Sequence, residues 1–182
     1  ATLEAWSRML ELCKRGKEGH IQRVTDMTVA LARKMGMTED EIVQVWRGAQ
    51  LHDIGEMCVP DSILLKDGPL VANERAIMRR HPQFAYDMLS PIGYLRPALE
   101  IPYCHHEKWD GMGYPRGLKG EEIPLAARIF AVVDTWDALR TDRSYRKAWT
   151  EQEALQYLTQ QVGKEFDPAV VKAFSEQMSS SQ

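Results

Sequence analysis

All five histidines of the chain fall where metal ligands would be wanted: His20, His52 followed directly by Asp53, His81, and the adjacent pair His105 and His106. A globular chain ordinarily scatters its histidines over surface and core, so this confinement argues for a metal site. His52-Asp53 sets an imidazole nitrogen beside a carboxylate whose two oxygens can bridge two cations. Asp134 is a single carboxylate in an apolar stretch, Phe130-Ala131-Val132-Val133, where burial is costly unless it is paired or metal-bound. Imidazole with carboxylate suits zinc, manganese, iron or nickel, and no thiolate-rich set indicates structural zinc. Taken singly, His81 before Pro82 reads as a helix-end residue, and one of His105 and His106 as a surface residue. Their joint occurrence favours the metal. Asp137 lies three residues after Asp134 and can share its helical face and cavity, or be a solvated helix-end carboxylate.

Helices must position these residues. Leu3, Trp6, Leu10 and Cys13 recur at helical spacing over about 2–15, as do Val24, Met27, Leu31 and Met35 from His20 to Met35. Gly36 stops that segment, and Thr38 with Glu41 forms a capping box for a helix running to about His52. Turns at Val59-Pro60-Asp61 and Lys66-Asp67-Gly68-Pro69 flank Ile63-Leu64-Leu65. Helices are expected over about 73–80, 83–89 and 95–106. Gly111, Gly113, Pro115, Gly117 and Gly120 exclude a helix from about 108–123 and predict a long ordered loop. Pro124 opens a helix over about 124–139, Thr150 and Glu153 cap the next, Gly163 closes it, and Asp167-Pro168 opens the last. The class is all-α with about eight helices, and no repeat or low-complexity segment is present.

At 182 residues and 44% hydrophobic content the chain suits one domain, 1–182, with a sizeable core. A net charge of −3 provides no global positive field for a nucleic acid polymer or an anionic membrane. No run approaches the roughly 18 apolar residues of a membrane span. Cys13, Cys58 and Cys104 are odd in number and lack CxxC spacing, and no signal-peptide core is present, which favours the cytoplasm. The first residue is not methionine, so residues 1–16 are expected to be an N-terminal helix linking to a regulatory domain outside this chain.

Three stretches carry a specific likeness: His52-Asp53-Ile54-Gly55, Pro60-Asp61-Ser62-Ile63-Leu64, and His105-His106-Glu107-Lys108-Trp109-Asp110-Gly111-Met112-Gly113-Tyr114-Pro115. With Ile123 to Ile129, Asp134, Asp137-Ala138-Leu139 and Arg143-Ser144-Tyr145-Arg146, the chain resembles the HD-GYP family of the HD superfamily of metal-dependent phosphohydrolases. The likeness covers about residues 18–175. It implies an HD-domain helical bundle with a long glycine-rich GYP loop, and a bacterial phosphodiesterase opening cyclic di-GMP to pGpG and, in some members, GMP. By motif position, His20, His52, Asp53 and Asp134 would hold one divalent metal, and Asp53 would bridge to a second held by His81, His105 and His106. The implied metals are iron or manganese, with nickel or zinc as alternatives, and the implied nucleophile is a water or hydroxide between them. Asp53 and Asp137 would serve catalysis, Asp137 by orienting that nucleophile or handling a proton. Arg143 and Arg146 would contact phosphate or guanine. Tyr114 would shape the entrance, dock GGDEF-domain cyclases, or simply hold the loop. A homodimer is compatible with this reading.

Two positions depart from the family pattern. Gly16 stands where many members carry an acidic residue able to support a third metal, and Glu18 would point elsewhere on a helix. Glu56 stands where the family has a phosphate-contacting lysine. At about 6 Å and an effective dielectric near 20, a carboxylate would repel phosphate by roughly 3 kcal/mol. Glu56 would avoid this by facing solvent, pairing with an arginine or binding a cation. Alternatives are therefore a catalytically weak nucleotide-sensing or cyclase-docking module, a phosphohydrolase for another cyclic dinucleotide, or a di-iron centre that activates oxygen. Cys104 is expected to be a small buried hydrophobe and Trp109 to pack beneath the loop.

Overall fold

Thr38 and Thr150 each accept a hydrogen bond from the backbone of the glutamate three residues on, and Glu41 and Glu153 return the bond to the cap. Both capping boxes begin helices where the sequence places them. The computed structural model describes Leu3, Ala5, Trp6, Met9 and residues 19–142 and 147–179. Its helices are α1 (His20–Lys34), α2 (Glu39–Gln50), α3 (Asp61–Leu64), α4 (Ala72–Met78), α5 (His81–Leu89), α6 (Glu100–Cys104), α7 (Leu125–Arg140), α8 (Glu151–Gln160) and α9 (Pro168–Ser179). Short 3-10 turns cover Ile54–Cys58, Gly93–Leu99 and Gly120–Glu122. Among the described residues there is no β-strand, only an isolated bridge between Val162 and Phe166.

Three sequence boundaries need correction, each for a backbone reason. α2 ends at Gln50, which leaves His52 and Asp53 on the turn that follows. α5 begins at His81 rather than near 83, because Pro82 fits the first turn of a helix, where its missing N–H has no partner to lose. The expected helix over 95–106 is split between the 3-10 turn Gly93–Leu99 and α6, with Pro97 and Pro102 each removing a backbone donor.

α7 is the central helix. Ala126, Ala127, Ile129, Phe130, Val132, Val133, Trp136 and Asp137 are all buried, so the helix is covered on nearly every side. Around it Val24 and Leu31 of α1, Val45 of α2, Leu158 of α8 and Phe174 of α9 close the main core. A second cluster joins Leu3 to Ile21, Leu51, Ile54, Ala85, Leu89 and Leu95, with Trp6 packed against it, so the described part of the N-terminal segment is apolar-side-in as its spacing predicts. Leu10 and Cys13 lie outside the described residues.

Candidate metal centre

The HD turn reaches the first turn of α5 because residue 55 has no side chain. A Cβ built on Gly55 would lie 1.9 Å from the His81 carbonyl oxygen and 2.7 Å from the Ala85 nitrogen. This approach brings Asp53 and His81 together. His105 and His106 follow α6 directly, His20 is the first residue of α1, and Asp134 comes from the middle of α7. Two groups of possible ligands result: Asp53, His81, His105 and His106 in one, and His20, His52 and Asp134 in the other.

Hydrogen bonds decide which nitrogen each imidazole presents. The Nδ1 atoms of His52, His81 and His105 lie 2.9, 2.9 and 3.0 Å from the carbonyl oxygens of Ala49, Met78 and Ile101. A carbonyl only accepts, so each Nδ1 carries the proton and each Nε2 presents a lone pair. Met78 ends α4 and Ala49 lies at the end of α2, where helix carbonyls lack intrahelical donors. His20 Nδ1 donates to Asp137 Oδ2 at 2.7 Å, and Arg23 grips the same carboxylate through Nε at 2.7 Å and Nη2 at 3.1 Å.

The lone pairs then face one another. His81 Nε2 is 3.3 Å from His105 Nε2, and both are 3.6 Å from Asp53 Oδ1. His52 Nε2 is 3.1 Å from Asp53 Oδ2, the other oxygen of the same carboxylate. His20 Nε2 is buried without a hydrogen-bond partner, 3.4 Å from Asp134 Oδ1. Acceptors converge at these distances only around positive charge, and this donor set fits divalent metal ions. Burial, together with His105 and His81, holds the His106 imidazole well below its ordinary pKa, in the neutral form that can ligate. Phe130, fully buried, forms the floor, its ring 4.9 Å from that of His52 and 5.9 Å from that of His105.

Asp137 is not solvated. It is 6% exposed, and its bonds place it behind His20. Burial alone would push its carboxyl up, but the hydrogen bonds from His20 and Arg23 prevail and hold it at about 2. Arg23, one turn beyond His20, escaped the sequence reading, although the i, i+3 spacing was there to see.

The glycine-rich loop is ordered by Glu107. Its buried carboxylate accepts from the Arg116 N–H at 2.7 Å and the Leu118 N–H at 3.0 Å. A Cβ on Gly113 would fall 2.3 Å from the Lys108 nitrogen, so the loop folds onto its own start. Tyr114 thereby stacks on His106, centroids 4.8 Å apart. Burial raises its phenol to about 12, with Asp53 and Glu56 adding to the rise and Arg79 opposing it. A cleft of about 480 Å³ opens beside His105, His106 and Asp134, with Tyr114, Ala131, Leu139 and Phe166 among its walls. Cys104 lies in a small apolar cluster with Ile123 and Ala127, and burial pushes its thiol up to about 11. Trp109 packs under the loop, where Arg128 lies 5.9 Å from its ring. Arg143, Arg146, Gly16 and Glu18 lie outside the described residues.

A helical fold that gathers imidazoles at helix ends around carboxylates from the HD turn and mid-α7, in two sets able to hold metal ions, is of the HD type. Residues 4–170 match the family model described as HD domain, and the chain belongs to that family, in its HD-GYP branch. It is 41% identical over 174 residues to a cyclic di-GMP phosphodiesterase response regulator of Xanthomonas campestris, covering 94% of this chain and 46% of the relative. It is 40% identical over 169 residues to 3'3'-cGAMP-specific phosphodiesterase 2 of Vibrio cholerae, covering 92% of this chain and 32% of the relative. The chain thus spans less than half the length of these relatives. Among solved structures, an HDG"Y"P protein from Bdellovibrio bacteriovorus superposes with a TM-score of 0.70 at 22% identity, over 88% of this chain and 51% of that one, which speaks to the fold. No helix among the described residues is long and apolar enough to cross a membrane.

Proposed function

We propose that this domain is a metal-dependent phosphodiesterase that opens cyclic di-GMP to linear pGpG, with cleavage to GMP as a following step. One observation carries the reading: the two oxygens of Asp53 face different histidines, Oδ2 toward His52 and Oδ1 toward His81 and His105, as a carboxylate bridging two cations requires. His20, His52 and Asp134 would complete one site, and His81, His105 and His106 the other, with iron or manganese the proposed ions. When bound, such a pair supplies an activated water at neutral pH and neutralises charge growing on phosphoryl oxygens. Asp53 fixes the spacing of the two sites. Asp137 orients the His20 ring and keeps the proton on its Nδ1, a positioning role. Tyr114 and the cleft wall hold the nucleotide, and Arg143 and Arg146 are proposed phosphate contacts.

Relatives named for cyclic di-GMP and for 3'3'-cGAMP support a cyclic dinucleotide substrate and leave two candidates. A second reading, a metal-loaded but weakly catalytic sensing or cyclase-docking module, draws on Glu56, whose charge acts on Tyr114 in concert with Asp53. Docking of a GGDEF-domain cyclase would use the loop, where Met112 is 76% exposed. The test is chromatography of cyclic di-GMP and 3'3'-cGAMP incubated with protein reconstituted anaerobically with iron or manganese. Linear dinucleotide from either supports the enzyme and ranks the substrates. Tight binding without product supports the module.

A further inference from the structure

We propose that Arg79 is a substrate-binding residue that contacts a phosphate oxygen at the mouth of the metal centre, carried there on the ring of Tyr114. The inference rests on the phosphodiester reading above. Arg79 caps the C-terminal end of α4, two residues before His81, so its backbone is tied to a ligand-bearing turn. Its guanidinium carbon lies 4.3 Å from the centroid of Tyr114, and Tyr114 in turn stacks on His106 at 23°. The Tyr114 ring thus contacts both the cation and a candidate ligand.

A cation held at an aromatic ring keeps guanidinium N–H groups able to bond an anion. Arg79 is exposed and forms no ion pair among the described residues, whereas Arg128 is held by Asp167 at 2.7 Å and Arg23 by Asp137. Arg80, its neighbour, turns away to lie over Phe84 at 4.9 Å. An exposed guanidinium with no ion-pair partner among the described residues, acting on Tyr114 against the charges of Asp53 and Glu56, offsets two carboxylates that would repel a phosphate. A planar fork suits the paired non-bridging oxygens of a phosphodiester.

The experiment compares wild type, R79A and R79K, each loaded with manganese. It measures the dissociation constant of inorganic phosphate by calorimetry, the KM for bis(p-nitrophenyl) phosphate and for cyclic di-GMP, metal content, and hydrogen exchange at the Tyr114 amide. Loss of one charged hydrogen-bonding partner should weaken phosphate binding in R79A by about ten- to a hundredfold, with metal content unchanged. R79K, which keeps the charge without the flat face, should recover part of the loss, and added salt should narrow the gap. Equal phosphate affinity in wild type and R79A overturns the proposal. So does an equal loss in R79A and R79K with faster exchange at the Tyr114 amide, which would make Arg79 only a prop for the loop. A wild type that binds phosphate through Arg79 but cleaves no cyclic dinucleotide refutes the activity reading and leaves the Arg79 contact standing.

Discussion

Removing the carboxylate of Asp137 should loosen one metal and spare the other. It accepts from His20 Nδ1 at 2.7 Å and from Arg23 at 2.7 and 3.1 Å while 6% exposed. Its carboxyl is held at about 2 against an ordinary 3.8, a shift worth about 2 kcal/mol of preferential interaction with the ionised form. Losing an outer partner of a ligating histidine typically costs about ten- to a hundredfold in metal affinity, a range that brackets the same energy. In Asp137→Ala we expect that loss at the site containing His20, with unchanged affinity at the site containing His81. Asp137→Asn keeps an acceptor for His20 and should retain near wild-type metal while lowering turnover. Manganese titration against a competing chelator resolves the two steps. The folded pKa lies below the unfolded one, so the carboxylate's stabilisation is complete above about pH 4 and is lost as pH falls toward 2. The difference in Tm between metal-free wild type and Asp137→Asn should close over that interval. Two unaltered binding steps in Asp137→Ala would refute the reasoning.

Three further outcomes follow from the same geometry. Asp53→Ala should strip metal from both sites, since one oxygen faces each set; elemental analysis showing both ions retained would exclude a bridge. Gly55→Ala must displace α5, because the added methyl would sit 1.9 Å from the His81 carbonyl, and should cost about 1–3 kcal/mol or more in denaturant unfolding, with metal lost at the site containing His81. Glu56→Lys should raise kcat/KM on cyclic di-GMP about tenfold or more, a change needing only about 1.4 kcal/mol, at constant metal content. No gain at subsaturating substrate would acquit Glu56 of opposing phosphate.

Most of the candidate centre was legible because its chemistry is carried by scarce residue types at unmistakable positions. His20, His52, Asp53, His81, His105, His106 and Asp134 all fall in the two ligand groups. Helix starts with a side-chain cap, at Thr38 and Thr150, were equally plain. Less legible were boundaries set by tertiary demand. The HD turn docks on the first turn of α5 through Gly55, and nothing local to residues 81–83 announces that contact. Glu107 read as one letter of a motif, yet its work is to anchor two amides nine and eleven residues downstream, a pairing that has no period to detect.

The histidine tautomers link that backbone geometry to function. Metal ligation by these rings needs neutral imidazoles presenting Nε2, and here the choice of nitrogen is made by the carbonyls of Ala49, Met78 and Ile101, independently of side-chain identity at those positions. Beside these three, His20 relies on a titratable partner, Asp137. Loss of the Asp137 charge therefore detunes the site built on His20, while the His81 and His105 rings of the other are held by the main chain itself. A difference in exchange rate between the two metals in Asp137→Ala, with the ion at His20 leaving first, is what this asymmetry requires.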